Sequence, residues 1–532
     1  MPPLPGSPGV FIEEQSSGGR PIAGVPTSIT AFVGRARRGP VASDAESPLL
    51  INSFADFERR FGRLWKESAL GFAVRDFFLN GGSQALIVRL YHAVTGAKTK
   101  ARLKAGTLQL EAAYPGAWAN KLRARIDHHT SPLPNGSVNP GAFNLSIRDG
   151  ETGEVESFAN VSIKRGDLRR VDKILTNNSK LVRVVTLPRA RPQKHAEPAN
   201  GQDVWDDNAI GTYDKVSAAG EASDGGALKE SDFTGAGKER AKQGLYALSK
   251  ADLFNLLCIP GYMDTGFGYD IDKGLVSSAA TYCEARRAMF LIDSAAAWRT
   301  TAAAKAGIAL GVGTTSKNAA LFFPRLRGPN PERNNQKEDF GPGGAVAGVF
   351  ARTDMQRGVW KAPAGVEAAV LAGESEVAVA LTDRDNAELN ALSVNALRSF
   401  GIAGPVVWGS RTLAGTDQAG SEWKYIPVRR TALFIEESLY RGTKWVVFEP
   451  NGEPLWAQIR LNVAAFMHGL FLKGAFQGAT PKDAYFVKCD SETTTQTDIN
   501  LGVVNIILGF APLKPAEFVV IKIQQMAGQI ET

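Results

Sequence analysis

Five histidines are the residues best suited to acid–base or metal chemistry in this 532-residue chain. A serine-type hydrolase needs a serine, a histidine and an acid in one site. The histidines are His92, His128, His129, His195 and His468. None lies between residues 196 and 467, so the middle of the chain has no histidine to act as general base. This distribution argues against a hydrolase triad there.

Metal and cofactor chemistry also lacks a matching pattern. His128 and His129 are adjacent, and on a strand they would point to opposite faces. The glycine-rich stretches 307–315 and 340–348 lack the Lys-Ser/Thr pair of a phosphate-binding loop. The three cysteines have no CxxC spacing and are interpreted as free, buried thiols: Cys258, Cys283 and Cys489. We therefore expect no catalytic residue, no metal site and no cofactor.

Charge and hydropathy narrow the classes of partner. Lys plus Arg is 61 and Asp plus Glu is 54, which gives a formal net charge of +7. The basic residues are scattered rather than gathered in one stripe, so we expect no nucleic-acid partner. A positive patch facing an acidic protein remains an alternative. No apolar run approaches the roughly 20 residues of a membrane span, and the N-terminus lacks signal-peptide features. We expect synthesis and assembly in the cytoplasm, without membrane insertion.

The first 92 residues combine an extended arm with the start of a sheet. Residues 1–30 are rich in proline and glycine and contain one short strand-like run at 10–12. Such an arm needs an acceptor surface, in cis or in trans. Residues 28–92 then read as strand, helix and strand.

The next 150 residues differ from the first 92 in composition and in predicted secondary structure. Short alternating runs separated by turn residues predict a small antiparallel β domain over 95–195. Residues 196–242 are polar and poor in large apolar side chains, so we expect a long surface insertion or a partly disordered loop.

From residue 243 onwards helices and strands alternate. Alternation up to about residue 410 predicts an α/β architecture with a mainly parallel sheet. We expect a helix over 383–399 before a strand at 405–408. Apolar positions at helical spacing predict a long amphipathic helix over 453–475. Strands are expected at 485–489, 503–510 and 518–523.

Many ordered motifs resemble those of one family. They are SPGVFIEEQSSGGRPIAGVPTSITAFVGRARRGP (7–40), FADFERRFG (54–62), GVWKAPAG (358–365), VVWGSRTL (406–413), VRR (428–430), FIEESLYRGTKWVVFEPNGEPLW (434–456), KCDSETTTQTDINLG (488–502) and APLKPAEFVVIKIQQ (511–525). In this order they resemble contractile tail sheath proteins of phage tails, pyocin-like particles and extracellular contractile injection systems. One departure is the Leu392-Ser393-Val394-Asn395 segment, which stands where the family usually has a glycine.

The resemblance implies an α/β (α+β) multi-domain fold. Its parts are a subtilisin-like α/β core without an active site, an inserted antiparallel β-sandwich, and an α+β C-terminal domain with exchanged terminal strands. The expected boundaries are an N-terminal arm (1–27), the first part of the core (28–94), the β-sandwich (95–195), a polar insertion (196–242), the main core (243–415), the C-terminal domain (416–516) and a C-terminal linker strand (517–532).

The resemblance also implies a function. Sheath subunits form stacked hexameric rings around an inner tube and contract to drive that tube through a target envelope. The implied partners are further copies of the chain, the inner tube protein, and baseplate and terminal cap proteins of a phage tail-like particle that is released or docked at a membrane. The alternatives are a subtilisin-like serine hydrolase and another shell or baseplate component.

Both chain ends are expected to add as strands to a neighbouring copy, with frayed, disordered ends as the alternative. The residues assigned to this strand exchange are Val10, Phe11, Ile12, Glu13, Phe518, Val519, Val520, Ile521, Lys522 and Ile523. Full burial of each large apolar side chain contributes roughly 1.5–3 kcal/mol. Arg460 and Lys473, on the long helix, are the expected tube contacts, with an ordinary packed helix as the alternative.

Overall fold

The computed structural model describes residues 20–132, 139–266, 268–373 and 376–520. Within these ranges the chain divides into two compact units. The larger comprises 28–352 and 364–419, and the smaller comprises 20–27, 353–363 and 420–520. Of the residues expected to exchange strands, Val10, Phe11, Ile12, Glu13, Ile521, Lys522 and Ile523 lie outside the described residues.

The larger unit contains most of the regular structure. Its strands are β1 (Thr30–Arg35), β2 (Leu49–Ile51), β3 (Ala85–Leu90), β4 (Arg102–Ala105), β5 (Leu108–Ala112), β6 (Leu122–Asp127), β7 (Ala142–Asp149), β8 (Val155–Ser162), β9 (Val182–Thr186), β10 (Asp214–Lys215), β11 (Leu256–Cys258), β12 (Met263–Asp264), β13 (Tyr269–Asp270), β14 (Met289–Asp293), β15 (Ala319–Phe323), β16 (Leu326–Asn330), β17 (Gln336–Phe340), β18 (Glu376–Val377), β19 (Val394–Phe400) and β20 (Gly404–Val407). Its helices are α1 (Phe54–Phe61), α2 (Leu70–Leu79), α3 (Val171–Asn178), α4 (Glu230–Thr234), α5 (Lys273–Ala285), α6 (Thr301–Ala309), α7 (Gly343–Arg357), whose residues from 353 onwards belong to the smaller unit, and α8 (Asp383–Ala391).

Eight strands form the central sheet of this unit, in the order β2-β3-β1-β11-β14-β15-β19-β20. The six inner strands are parallel, and the two edge strands are antiparallel to their neighbours. The inner strands β3, β11 and β15 are buried along their whole length. Both faces of such a sheet are covered, which explains the continuous apolar runs that the sequence shows. The prediction of a mixed α/β fold is confirmed.

The β domain is built from two antiparallel sheets, with orders β4-β5-β9 and β10-β6-β7-β8. Side chains from both sheets enter one apolar core, which includes Leu110, Ile126, Phe143 and Val182. Its strands alternate between buried and more exposed positions, as β5 and β7 show. Antiparallel sheets that face a core on one side and solvent on the other have this pattern.

The segment 196–242 differs from the expected surface loop. It supplies β10, which pairs with β6, and Val216 joins the core of the β domain. Further along, Leu228 and the fully buried Phe233 join the core of the central sheet. The expectation of a loop outside the core was wrong because a few well-placed apolar side chains anchor an otherwise polar segment. Composition averaged over the segment hides them.

The predicted helix over 383–399 is also corrected. Helix α8 ends at Ala391, and residues Val394–Phe400 form β19. Between them, Ser393 has φ of 62°, in the left-handed region that favours glycine and ends helices. Glycine adopts this conformation without steric cost, which fits the glycine that the family resemblance leads us to expect here. Buried Asn395 then fixes the strand, because its side chain donates to the carbonyls of Leu321 and Arg411.

The smaller unit is α+β. Its elements are α9 (Ile426–Gly442), α10 (Glu453–Leu472), α11 (Pro481–Ala484), β21 (Tyr485–Lys488), α12 (Gln496–Asn500) and β22 (Ile507–Phe510). Helix α10 matches the long helix expected over 453–475, and its inward face includes Ile459, Val463 and Met467. The expected strand over 503–510 is shorter, beginning at Ile507. No helix in the described ranges is long and apolar enough to cross a bilayer.

Candidate functional site

A polar cleft of about 600 Å³ lies at the carboxyl ends of the parallel strands of the larger unit. Asp293, the last residue of β14, reaches into it and accepts a hydrogen bond of 2.6 Å from the Gly343 N–H at the start of α7. A Cβ at Gly341 or Gly343 would lie 2.1 or 2.9 Å from this carboxylate. The two glycines therefore let the carboxylate reach the end of the helix.

The lining of the cleft does not resemble the active site of a serine or cysteine hydrolase. Among the described residues, its lining holds one serine, Ser68, whose hydroxyl donates to the Arg35 carbonyl, and no histidine or cysteine. Histidines in the larger unit have structural partners elsewhere. The His195 Nδ1 atom accepts from the Ile126 N–H at 2.9 Å, and His92 lies 3.0 Å from Asp232. The described residues contain no group of three metal-ligating side chains.

Burial raises the pKa of Asp293 from 3.8 to about 6, although Arg325 and the Gly343 N–H partly offset this shift. The folded chain therefore binds this proton more tightly than the unfolded chain between these two values. Linkage makes the contribution of Asp293 to stability fall as the pH rises through about 6.

We expect Asp293→Asn to stabilise the protein at pH 7.5 by about 1–2 kcal/mol, allowing for solvent screening at the cleft. At pH 4.5 the carboxyl is mostly protonated, so the two proteins should differ little. Urea unfolding at both pH values measures the difference. The exposed Glu422→Gln serves as control. An equal effect of Asp293→Asn at both pH values would contradict the assignment.

The smaller unit ends in a sheet of only two strands. β21 and β22 are antiparallel, with Tyr485 opposite Phe510 and Lys488 opposite Ile507. Both strands have a free edge within the described residues. Phe486 and Ile507 are each about half exposed on this sheet. A two-stranded sheet needs packing against a helix or further strands for stability, and this one packs on the apolar core that contains α10.

The chain continues past β22 without regular structure to residue 520. Phe518, Val519 and Val520 are 76%, 83% and 78% exposed. Three consecutive large apolar side chains at this exposure form a surface suited to burial against another molecule. The expected strand over 518–523 is absent from its described part, 518–520, in the single chain.

The N-terminal segment 20–27 lies against the helices of the smaller unit. The Arg20 guanidinium stacks over Trp445 at 4.8 Å, and the Val25 N–H donates to the Ser438 hydroxyl at 3.2 Å. Gly24 allows the close approach, because a Cβ there would lie 2.9 Å from the Phe434 ring. The final described part of the expected arm over 1–27 thus has its acceptor surface in cis, one of the two alternatives, since Ile22 enters the apolar core.

The two expected tube contacts lie on α10 and directly after its end. Arg460 forms an ion pair of 2.5 Å with Glu453 and donates to the Cys489 carbonyl. Lys473 directly follows the last residue of α10 and is exposed. Leu461 and Leu472 are 64% and 72% exposed on the same helix. The outward side of α10 is thus partly apolar, whereas one of the two cations already has partners.

A buried ion pair in the smaller unit was missed from the sequence. Arg430 on α9 pairs in bidentate geometry with Asp354, at 2.8 and 2.6 Å, and also donates to the Thr27 carbonyl at 2.8 Å. Both side chains are 3% exposed. The sequence carries one signal of this ion pair, since Arg429 and Arg430 stand side by side in a helical stretch that is otherwise apolar. Charged residues that face solvent rarely have such apolar neighbours.

Comparison with known proteins finds similarity to tail sheath proteins. Residues 418–526 match the family model described as the phage tail sheath C-terminal domain. A prophage sequence of Pseudomonas aeruginosa (strain UCBPP-PA14), named as a major tail sheath protein, is 25% identical over 173 residues, 32% of this chain and 42% of its own length. The tail sheath protein of Enterobacteria phage T4 is 25% identical over 156 residues, 29% of this chain and 22% of its own length.

The chain thus spans less than half the length of these curated relatives. A solved structure extends the likeness in fold. The sheath complex of the extracellular contractile injection system PVC, in its contracted state, is 21% identical with a TM-score of 0.54, covering 98% of each chain. Residues 418–526 therefore match the phage tail sheath C-terminal domain, and the chain has the fold of contractile sheath proteins.

Proposed function

We propose that the chain is the sheath subunit of a contractile, phage tail-like particle. In this proposal it polymerises as stacked hexameric rings around an inner tube and contracts to drive the tube through a target envelope. The observation that supports it best is the likeness in fold to a contracted sheath over 98% of both chains. Baseplate and terminal cap proteins are its further partners, and cytoplasmic assembly precedes release or docking at a membrane.

The proposal assigns roles to the units. The central sheet and its helices act as a subtilisin-like core without an active site, and the β domain is an inserted sandwich. We keep the expected boundaries at 94/95 and 195/196, with 196–242 as a connecting insertion and 243–415 as the main core. The C-terminal domain, 416–516, carries the assembly joint, with arms at 1–27 and 517–532. The chain is not an enzyme in this proposal.

Strand exchange is the proposed joint between subunits. The receiving surface is the two-stranded sheet of β21 and β22, whose free edges can accept further strands. The donated segments are Val10–Glu13 and Phe518–Ile523 of neighbouring copies. Their backbone groups would extend the sheet, and Phe518 and Val520 would lose their exposure to water. Main-chain pairing of this kind can persist while the bodies that it joins rotate.

The tube contact is proposed for the outward side of α10. Lys473 is exposed at the end of this helix and can meet an acidic tube surface. Arg460 contributes less in the free subunit, because Glu453 already neutralises it. The adjacent Leu461 and Leu472 supply apolar area to the same contact.

The strand-exchange proposal predicts the effect of polarity in the C-terminal tail. We expect the triple variant Phe518→Ser, Val519→Ser, Val520→Ser and the deletion of residues 517–532 to leave a folded subunit that no longer polymerises. The triple variant removes the apolar side chains that the joint would bury, and the deletion removes the donated strand itself. Electron microscopy of the purified protein measures the loss, since a sheath forms long hollow tubes.

The matched control replaces three comparably exposed apolar side chains of the larger unit by serine: Leu168, Ile210 and Leu310. We expect this control to polymerise normally. Normal tubes from the tail variants would refute strand exchange, whereas absence of tubes from the unaltered protein with its tube partner would refute the sheath function itself. A shell or baseplate component would give rings or plates instead, and a hydrolase would be labelled by a serine-directed probe.

A further inference from the structure

A second cavity, of about 310 Å³, lies beside the polar cleft in the larger unit, and Asp293 lines both. Among its other lining residues, Ile259 directly follows β11 and Arg325 lies two residues past β15. The cavity is therefore at the carboxyl ends of the parallel strands, where open α/β sheets bind ligands. Its volume is at the lower end of the range for ordinary ligand sites, which suits a small molecule.

The walls of this second cavity are mainly apolar. The partly buried side chain of Trp298 provides an aromatic wall, and Leu310, which is 79% exposed, marks the opening to solvent. Four buried side chains from the core of the central sheet also line it: Ile259, Val276, Ile292 and Leu321. An apolar molecule that enters loses its contact with water on several sides, which favours binding.

Three of the four charged side chains that line the cavity have partners that leave them little to offer a ligand. Arg325 pairs with Asp270 at 2.5 Å and also donates to two backbone carbonyls. Lys273 is exposed, and its ammonium group donates to the Leu310 carbonyl at 3.2 Å. Water therefore screens the charge of this lysine.

Asp293 is the charged lining residue without an ion pair among the described residues. Its Oδ1 atom accepts one hydrogen bond, from the Gly343 N–H, and its Oδ2 atom has no donor in the described part of the chain. A pKa of about 6 leaves the carboxyl mostly ionised at neutral pH. Burial has removed much of the water around it, so a cationic donor would replace few hydrogen bonds to solvent and form a strong, charge-assisted one.

We propose that this cavity binds a small organic amine, whose apolar body lies against Trp298 and the buried aliphatic side chains and whose ammonium group donates to the Asp293 carboxylate. The apolar walls supply affinity, and the carboxylate selects a cation over neutral or acidic molecules of the same shape. This inference is independent of the proposed sheath function, because it involves neither the terminal strands nor the smaller unit.

Ligand-observed NMR titrations of the full-length protein at neutral pH test the proposal with four probes. Phenethylamine has both an aromatic ring and an ammonium group, whereas phenethyl alcohol lacks the charge, phenylpropanoate reverses it and ethylamine lacks the ring. We expect saturable binding of phenethylamine and at least tenfold weaker binding of phenethyl alcohol. We expect no saturable binding of phenylpropanoate or ethylamine.

Two matched variants locate the site. Asp293→Asn should weaken the binding of phenethylamine at least tenfold and leave that of phenethyl alcohol unchanged, which would also show that the cavity keeps its shape. Asp264→Asn is the control, because Asp264 lines the polar cleft but not the second cavity. This control should leave the binding of both probes unchanged.

Several outcomes would overturn the proposal. On the unaltered protein, these are the absence of saturable phenethylamine binding and equal binding of phenethyl alcohol, phenylpropanoate or ethylamine. In the variants, they are unchanged phenethylamine affinity or an equal loss of both probes in Asp293→Asn, and weaker phenethylamine binding in Asp264→Asn, which would place the amine in the polar cleft. None of these outcomes bears on whether the chain forms tubes.

Discussion

Arg430→Ala is expected to destabilise the smaller unit by about 3–5 kcal/mol, because it leaves the Asp354 carboxylate buried without its counter-charge. The guanidinium bonds Asp354 twice and the Thr27 carbonyl once, so one substitution removes three charge-assisted hydrogen bonds. It also releases two separate chain segments from α9. We expect hydrogen exchange to accelerate in α9 and in residues 20–27.

Two control variants separate charge from geometry. Arg430→Lys keeps the positive charge but cannot form the planar, bidentate pair, so an intermediate loss is expected. Arg384→Ala removes a guanidinium whose side chain is 90% exposed and should cost less than about 0.5 kcal/mol. If Arg430→Ala changed exchange no more than Arg384→Ala, the ion pair would not stabilise this unit.

Arg89→Met should cause a comparable loss in the larger unit, about 3–5 kcal/mol by the usual cost of buried carbonyls left without a donor. Arg89 is 1% exposed and donates to the carbonyls of Ala36, Arg37, Gly39 and Pro115 at 2.7–3.3 Å. Burial lowers its pKa to about 10, which leaves it charged at neutral pH. Methionine keeps much of the volume but offers no donor.

The bond to Pro115 connects β3 of the central sheet to the β domain. We therefore expect Arg89→Met to lower the thermal midpoint and to expose the segment around residue 115 to limited proteolysis. Arg102→Met, an exposed position on β4, is the matched control and should leave both unchanged. A proteolysis pattern identical to the unaltered protein would show that other contacts hold the β domain.

The sequence predicts the elements better than it predicts the polar groups that join them. The inner strands were found because parallel strands covered on both faces leave unbroken apolar runs. Helix α8 was extended too far, since helical spacing continues past Ser393 and a left-handed serine gives no signal of its own. The anchoring role of Phe233 could not be read from a polar segment.

The joining arginines show a further limit. Arg89 lies within the apolar run ALIVRL and Arg430 within an apolar helix face. A charged residue in such a run is itself a signal that its side chain is buried with a partner. Their partners are distant in sequence, up to 403 residues away for Thr27, and no local pattern predicts such pairs. For the expected tube contacts, the periodicity of the sequence predicts helix α10. It does not predict that Arg460 pairs with Glu453, because the two residues are seven positions apart.

The exposed Phe518-Val519-Val520 tail has a consequence for the supply of subunits in the producing cell. Under the proposed strand exchange, a newly made copy would expose these three apolar side chains until another copy covered them, so the time spent unassembled would determine its risk of aggregation. Growth of the proposed sheath would remove free copies by mass action and protect each one that it incorporates. If subunits were synthesised faster than the sheath incorporated them, free copies would accumulate and aggregate. The rate of synthesis would therefore have to match the rate of sheath growth.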